Sequence, residues 1–118
     1  MDDSPQFPRT LWIAAALSAA LAVAAGAFGA HGAASAKAAE WLRTGSVYQL
    51  THAIAVLAIA RQFPRSAALL IVGGAIFALT LYAMAVGAPR WLGAVTPIGG
   101  TLMIAGWLSL GWAVLRRN

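Results

Sequence analysis

The chain has no cysteine, only three acidic residues and only two histidines in 118 positions. Without cysteine there are no disulfides, no thiol nucleophile and no thiolate-held metal. The acids are Asp2, Asp3 and Glu40, and none falls inside an apolar run. Paired carboxylates for acid–base work are therefore missing. So are a nucleophile with its base and a phosphate-binding glycine loop. These absences exclude the usual routes to catalysis, and the chain reads as a non-enzyme. Charge is also scarce. Charged residues make up 9% of the chain, against about 25% in soluble domains. A chain 61% hydrophobic with so little charge cannot cover its own surface with polar groups, so lipid must cover it.

What is present fits that solvent. Thr10–Ala36, Thr44–Ala60, Ser66–Pro89 and Trp91–Leu115 contain no Asp, Glu, Lys or Arg. Each reaches the length of a membrane-spanning helix, about 17–25 residues, with Thr44–Ala60 at the short limit. Backbone groups in lipid must be satisfied within the segment, which requires helices. The strict alternation of a membrane β-strand is absent. The first run is too long for the core of a signal peptide and follows the acidic start "MDDSPQ", so it reads as a retained helix. The sequence thus predicts one all-α domain over 1–118, an antiparallel bundle of four transmembrane helices. Their bounds are about 10–30, 44–61, 66–87 and 96–115. A short amphipathic surface helix is expected at about 34–43. There, Lys37, Glu40 and Arg43 alternate with Ala38, Trp41 and Leu42.

The net charge of +5 comes from basic residues standing singly or in pairs beside the apolar runs. That arrangement suits anionic lipid rather than nucleic acid. Arg9, Arg61, Arg65, Arg116 and Arg117 fall on one side of the expected bundle, and Lys37, Arg43 and Arg90 on the other. Basic residues concentrate on the cytoplasmic side, which puts both termini there. In helix 1, Ala14, Ser18, Ala22, Gly26 and Ala30 recur every fourth residue. Such a small-residue seam admits a close neighbour, either from the same chain or from a second copy or a partner membrane protein. Trp12, Trp91 and Trp112 fall near span ends, where tryptophan prefers to sit. Trp107 lies deep in helix 4 beside Gly106 and reads as a packing residue.

Polar residues inside the spans mark the candidate site. His52 sits at the centre of the second run, with Tyr48 and Gln49 one turn before it. Residues three and four apart share a helix face, and polar side chains at that depth face the bundle interior. Counting about 1.5 Å per residue puts Tyr82 at the depth of Tyr48, while Thr80 points nearly the opposite way. Tyr48, Gln49, His52 and Tyr82 form the expected intramembrane cluster. His31 and Thr96 lie further out, at the outer interface, and His31 can turn toward the cluster or toward headgroups. The inner half is nearly all aliphatic. Two histidines at different depths without carboxylates do not make a metal site, and no cofactor is called for. In "TPIGG", Thr96 suits a helix cap and Pro97 a first helical position. Gly99 and Gly100 there allow either close helix packing or the approach of an anionic headgroup, with Arg90 nearby.

Several stretches together resemble the YgdD family of small membrane proteins, a domain of unknown function. They are "GAFGAHG" at 26–32, "WLRTGSVYQLTHAIAVL" at 41–57, "TPIGG" at 96–100 and "GW" at 106–107. The resemblance touches all four expected helices and implies a four-span protein of the bacterial inner membrane. It implies no reaction and no substrate. In helix 3 the family pattern reads Phe-Ser-Gly-Ser-Leu-Tyr, whereas residues 77–82 here read Phe-Ala-Leu-Thr-Leu-Tyr. If the small polar pair served a solute path, this chain has lost it. Two functions follow from the sequence. One is a non-enzymatic membrane protein acting through lipids or partner proteins. The other is a proton-linked carrier or channel using the outer-half polar cluster.

Overall fold

The computed structural model describes residues 7–117. They form four α-helices and no strand: α1 (Arg9–His31), α2 (Ala36–Ile59), α3 (Pro64–Ala85) and α4 (Thr96–Leu115). A 3-10 turn at Arg90–Ala94 precedes α4. Three segments are long and apolar enough to cross a membrane: α1, α3, and α4 with its leading turn. The second helix is equally long but carries Lys37, Glu40 and Arg43 in its first turns.

The expected surface helix does not exist as a separate element. Residues 36–43 are the first turns of α2, which continues unbroken to Ile59. The reason is local. No proline or glycine falls between Ala36 and Thr44, so nothing stops a helix once it has begun. It begins at Ser35, whose hydroxyl accepts the Ala38 N–H at 3.0 Å, satisfying one of the free donors at a helix start. The polar face of residues 37–43 is therefore the exposed first part of a spanning-length helix. Lys37 and Glu40 pair there at 3.4 Å.

The other ends are set by proline and glycine. Pro64 opens α3 at a position where its missing N–H costs nothing. Past Val86, Gly87 adopts φ +104°, a left-handed conformation that glycine takes without strain, and the chain turns away into Pro89. At α4 the expectation for Thr96 needs correction. Thr96 is the first helical residue, not its cap. Its hydroxyl is directed to the Leu92 carbonyl at 3.2 Å and to the Thr80 hydroxyl at 2.7 Å.

Helices adjacent in sequence pack on each other, and α1 also touches α3, whereas α2 and α4 do not pack directly. Contacts pair rising numbers on one helix with falling numbers on the next, such as Gly26 with Ser46 and Gly29 with Leu42. Between α3 and α4, Ser66 meets Ser109 and Leu70 meets Gly106. The core is built from small residues. Ala15, Ala53, Val56, Ala60, Ala67 and Leu70 form one fully buried cluster. Beside α2, helix α1 presents Ala15, Ala22, Ala25, Gly26 and Gly29 rather than the strict four-residue series, and Ala30 is exposed. A four-residue step advances 400° on a helix of 3.6 residues per turn. The series therefore drifts about 40° per step and leaves the face.

The closest approach joins α3 to α4. A Cβ added to Gly73 would lie 2.7 Å from both the Gly99 carbonyl oxygen and the Met103 nitrogen. One added to Gly99 would meet the Gly73 carbonyl oxygen at 2.6 Å. The two backbones touch, and neither position has room for a methyl group. Gly73→Ala and Gly99→Ala should each cost about 1–3 kcal/mol, as overpacking does, seen as a lower unfolding midpoint in detergent. Gly111 has nothing near its missing Cβ, so Gly111→Ala should stay within about 0.5 kcal/mol of the parent. A Gly99→Ala protein as stable as the parent contradicts the crossing.

Candidate functional site

The polar cluster expected from the sequence does not close on itself: the Tyr48 side chain is exposed, and the other three members fall into two hydrogen-bonded pairs, both starting on α2. In the first, the Tyr82 hydroxyl donates to Gln49 Oε1 at 2.8 Å, and Gln49 is buried. Gly45 makes space for this pair, since a Cβ there would lie 2.7 Å from the Tyr82 ring. In the second, His52 stands between α2 and α4. Its Nδ1 lies 2.6 Å from the backbone carbonyl oxygen of Tyr48. Its Nε2 lies 3.0 Å from Nε1 of Trp107.

These partners fix the state of the ring. The indole N–H can only donate, so Nε2 accepts and carries no proton. The carbonyl can only accept, so Nδ1 carries one. Both nitrogens are satisfied only in the neutral Nδ1–H form. A second proton on Nε2 would face the indole N–H, donor against donor. His52 is buried while Trp107 is 43% exposed, so the histidine also satisfies an indole N–H that lipid cannot. The aromatic surroundings are continuous. The Tyr48 ring lies nearly parallel to His52 at 6.2 Å between centroids, and Phe77 packs on Tyr48 at 4.9 Å. Trp107 meets His52 edge-on.

Helix α3 makes this possible from beneath. Gly74 lies beside the His52 Cβ and the Met103 sulfur at ordinary contact distance, while its neighbour Gly73 admits α4. Tyr82 faces α2, and Thr80 faces α4 through Thr96. Their opposite directions, expected from the sequence, reflect a helix with a neighbour on each side. Thr80 also reaches the Ile76 carbonyl at 2.8 Å.

The outer-interface candidates separate. His31 is exposed at the last position of α1. The Arg90 guanidinium lies over the Trp41 ring at 5.7 Å, with Lys37 near the same ring at 5.8 Å. Gly99 is buried against α3, and Gly100 faces Phe77. The inner half is less uniform than its composition promised, because Ser66 and Ser109 pair there at 2.7 Å. Trp107 is the site residue that the sequence reading passed over. The signal available was its depth, since a tryptophan away from both interfaces needs a partner for its N–H.

No group of three or more metal-binding side chains occurs among the described residues. Two clefts lie at the end of the bundle where α1 ends and α2 begins. One, of about 630 Å³, runs between α1 and α2 beside Gly29 and Arg43; the other, of about 370 Å³, lies beside Phe28, Trp41 and Met84. His52 lines neither.

Residues 25–100 match the model of a family described as a protein of unknown function, DUF423. A UPF0382 membrane protein of Haemophilus influenzae is 44% identical over 107 residues, covering 82% of this chain and 86% of the relative. The UPF0382 membrane protein SSP2132 of Staphylococcus saprophyticus is 39% identical, covering 83% and 90%. The UPF0382 inner membrane protein YgdD of Escherichia coli K12 is 36% identical over 110 residues, covering 84% of each. No solved structure matches.

If the His52–Trp107 bond holds α2 to α4, the two side chains must be energetically coupled. A double-mutant cycle of His52→Phe and Trp107→Phe, measured by reversible unfolding in mixed micelles, should give about 0.6–1.7 kcal/mol of coupling. Strictly additive losses contradict the bond.

Proposed function

Because the chain belongs to the DUF423 family and is a relative of UPF0382 membrane proteins, we propose that it crosses the bacterial inner membrane four times. In this reading the helices form an antiparallel bundle, both termini are cytoplasmic, and the protein acts without catalysis through lipids or partner membrane proteins. For α2 the support is length. Its 24 residues reach about 36 Å at 1.5 Å each, against a hydrocarbon core of about 30 Å. A span ending near Ile59 leaves the turns with Lys37 and Glu40 among the headgroups, where they need no burial.

For orientation the support is the grouping of arginines. Arg61 lies over the Phe7 ring, and Arg117 lies over the Phe63 ring and donates to the Gln62 carbonyl oxygen. The start of α1, the turn between α2 and α3, and the end of α4 therefore meet at one end of the molecule. That end also carries Arg9, Arg65 and Arg116.

The observation that carries the non-transport reading is the full occupation of His52. A proton carrier needs a group that gains and loses a proton beside water. Here a second proton would break the Trp107 bond, and neither outer cleft reaches the ring. His52 thus acts as a brace between helices.

Two measurements test the reading. Alkaline phosphatase fused after Asn118 should be inactive and green fluorescent protein there fluorescent, while phosphatase inserted at Gly87 should be active. An active phosphatase at the C-terminus reverses the orientation. Proteoliposomes of the parent and of His52→Phe should both leak protons no faster than protein-free vesicles. Flux in the parent that a folded His52→Phe protein loses would establish the carrier instead.

A further inference from the structure

The larger outer cleft has a chemistry that the bundle itself does not need. Its apolar wall is made by Gly26, Gly29 and Ala30 of α1 with Ala36 and Ala39 of α2. It remains open because these residues are small. Gly26 and Gly29 are pressed against Ser46 and Leu42, which leaves the flank of that contact as a shallow apolar trough.

Its polar rim is Glu40, Arg43 and Thr44. These residues are three and four apart and share one face of α2. Among the described residues Arg43 has no ion-pair partner, and Glu40 has one, the exposed Lys37 at 3.4 Å. An exposed pair of that kind is weak and easily exchanged. The rim therefore offers one carboxylate, one guanidinium and one hydroxyl at the mouth of an apolar trough. The cleft volume of about 630 Å³ lies in the range of small-ligand sites, roughly 300–1,000 Å³.

From this complementarity we propose that the cleft binds a zwitterionic phospholipid whose headgroup carries a primary ammonium, as in phosphatidylethanolamine. The phosphate takes the planar fork of Arg43 and the Thr44 hydroxyl. A guanidinium matches phosphate geometry with two parallel N–H bonds. The ammonium takes Glu40 in place of Lys37, and the first part of an acyl chain runs inward from the phosphate past Gly26, which lies level with Ser46. Both charges of the rim are then used. An anionic glycerol headgroup leaves Glu40 facing a phosphate without a cation between them. A choline headgroup offers Glu40 no N–H to donate. The site thus distinguishes headgroups by hydrogen-bonding chemistry, not by net attraction. The proposal rests on the membrane placement above, since it needs Glu40 at headgroup level and the long Arg43 side chain, a turn deeper, reaching up to it.

Native mass spectrometry of the full chain, released from nanodiscs with equal phosphatidylethanolamine, phosphatidylglycerol and phosphatidylcholine, tests it. The parent should retain phosphatidylethanolamine above the other two. Arg43→Gln should lower its retention about tenfold, the loss of one charge-assisted hydrogen bond. Glu40→Gln should remove the preference over phosphatidylglycerol while phosphate binding persists. Ala30→Phe fills the cleft at an exposed position, and should lose lipid with unchanged unfolding. Equal retention of all three lipids by the parent overturns the proposal, as does a preference that survives both Arg43→Gln and Glu40→Gln. A parent that enters nanodiscs and shows no preference refutes the site alone. A parent absent from the membrane fraction refutes the membrane reading with it.

Discussion

The facing glycines Gly73 of α3 and Gly99 of α4 are the constraint on which the rest of the bundle depends. Helices in lipid gain nothing from hydrophobic exclusion of their neighbours, so they associate where backbones come close and polar groups pair. Gly73 lets α4 lie backbone on backbone against α3, with Gly99 opposite. Beside it, Gly74 meets the His52 Cβ and the Met103 sulfur at ordinary contact distance. Gly73 thus makes a notch in the middle of α3 in which α4 is seated. Helices α2 and α4 do not pack directly, yet across this notch His52 and Trp107 come within hydrogen-bond distance.

Each polar pair in the structure then has a mechanical meaning. Ser46 ties α2 to the Ala22 carbonyl of α1. Gln49 and Tyr82 tie α2 to α3, Thr80 and Thr96 tie α3 to α4 near the start of α4, and Ser66 and Ser109 do so toward its other end. No buried side-chain nitrogen or oxygen among the described residues lacks a partner. The buried polar side chains of the bundle are thus engaged in joining helices, while Thr51 and Thr101 bond to carbonyls of their own helix. The chemistry left over lies near the start of α2, where Arg43 and Glu40 border an open cleft.

Much of this was legible in the sequence, and the rest was not for physical reasons. Long uncharged runs dictate helices in lipid, and His52 at the centre of one announced that it needed a partner. Which partner it found was not local information. Tyr48 shares its helix face, but its backbone carbonyl, not its hydroxyl, accepts from the ring. The second partner lies 55 positions away on a helix whose rotation depends on Gly73 and Gly99. The separate surface helix was expected because charge alternates with apolar residues at 34–43. Amphipathicity describes where a segment's faces point and does not create a break, and only a stop signal, absent before Thr44, would have done so. The seam of α1 was read with a period of four, when the face that packs follows 3.6.

The central claim is that His52 is a neutral brace whose two ring nitrogens are fixed by α2 and α4. The most direct measurement is the ¹⁵N spectrum of His52 in the reconstituted protein, recorded with labelled Trp107. The account predicts a protonated Nδ1, an unprotonated Nε2, and magnetisation transfer from the Trp107 indole proton to Nε2. A ring protonated at Nε2, or one without any coupling to Trp107, would contradict it.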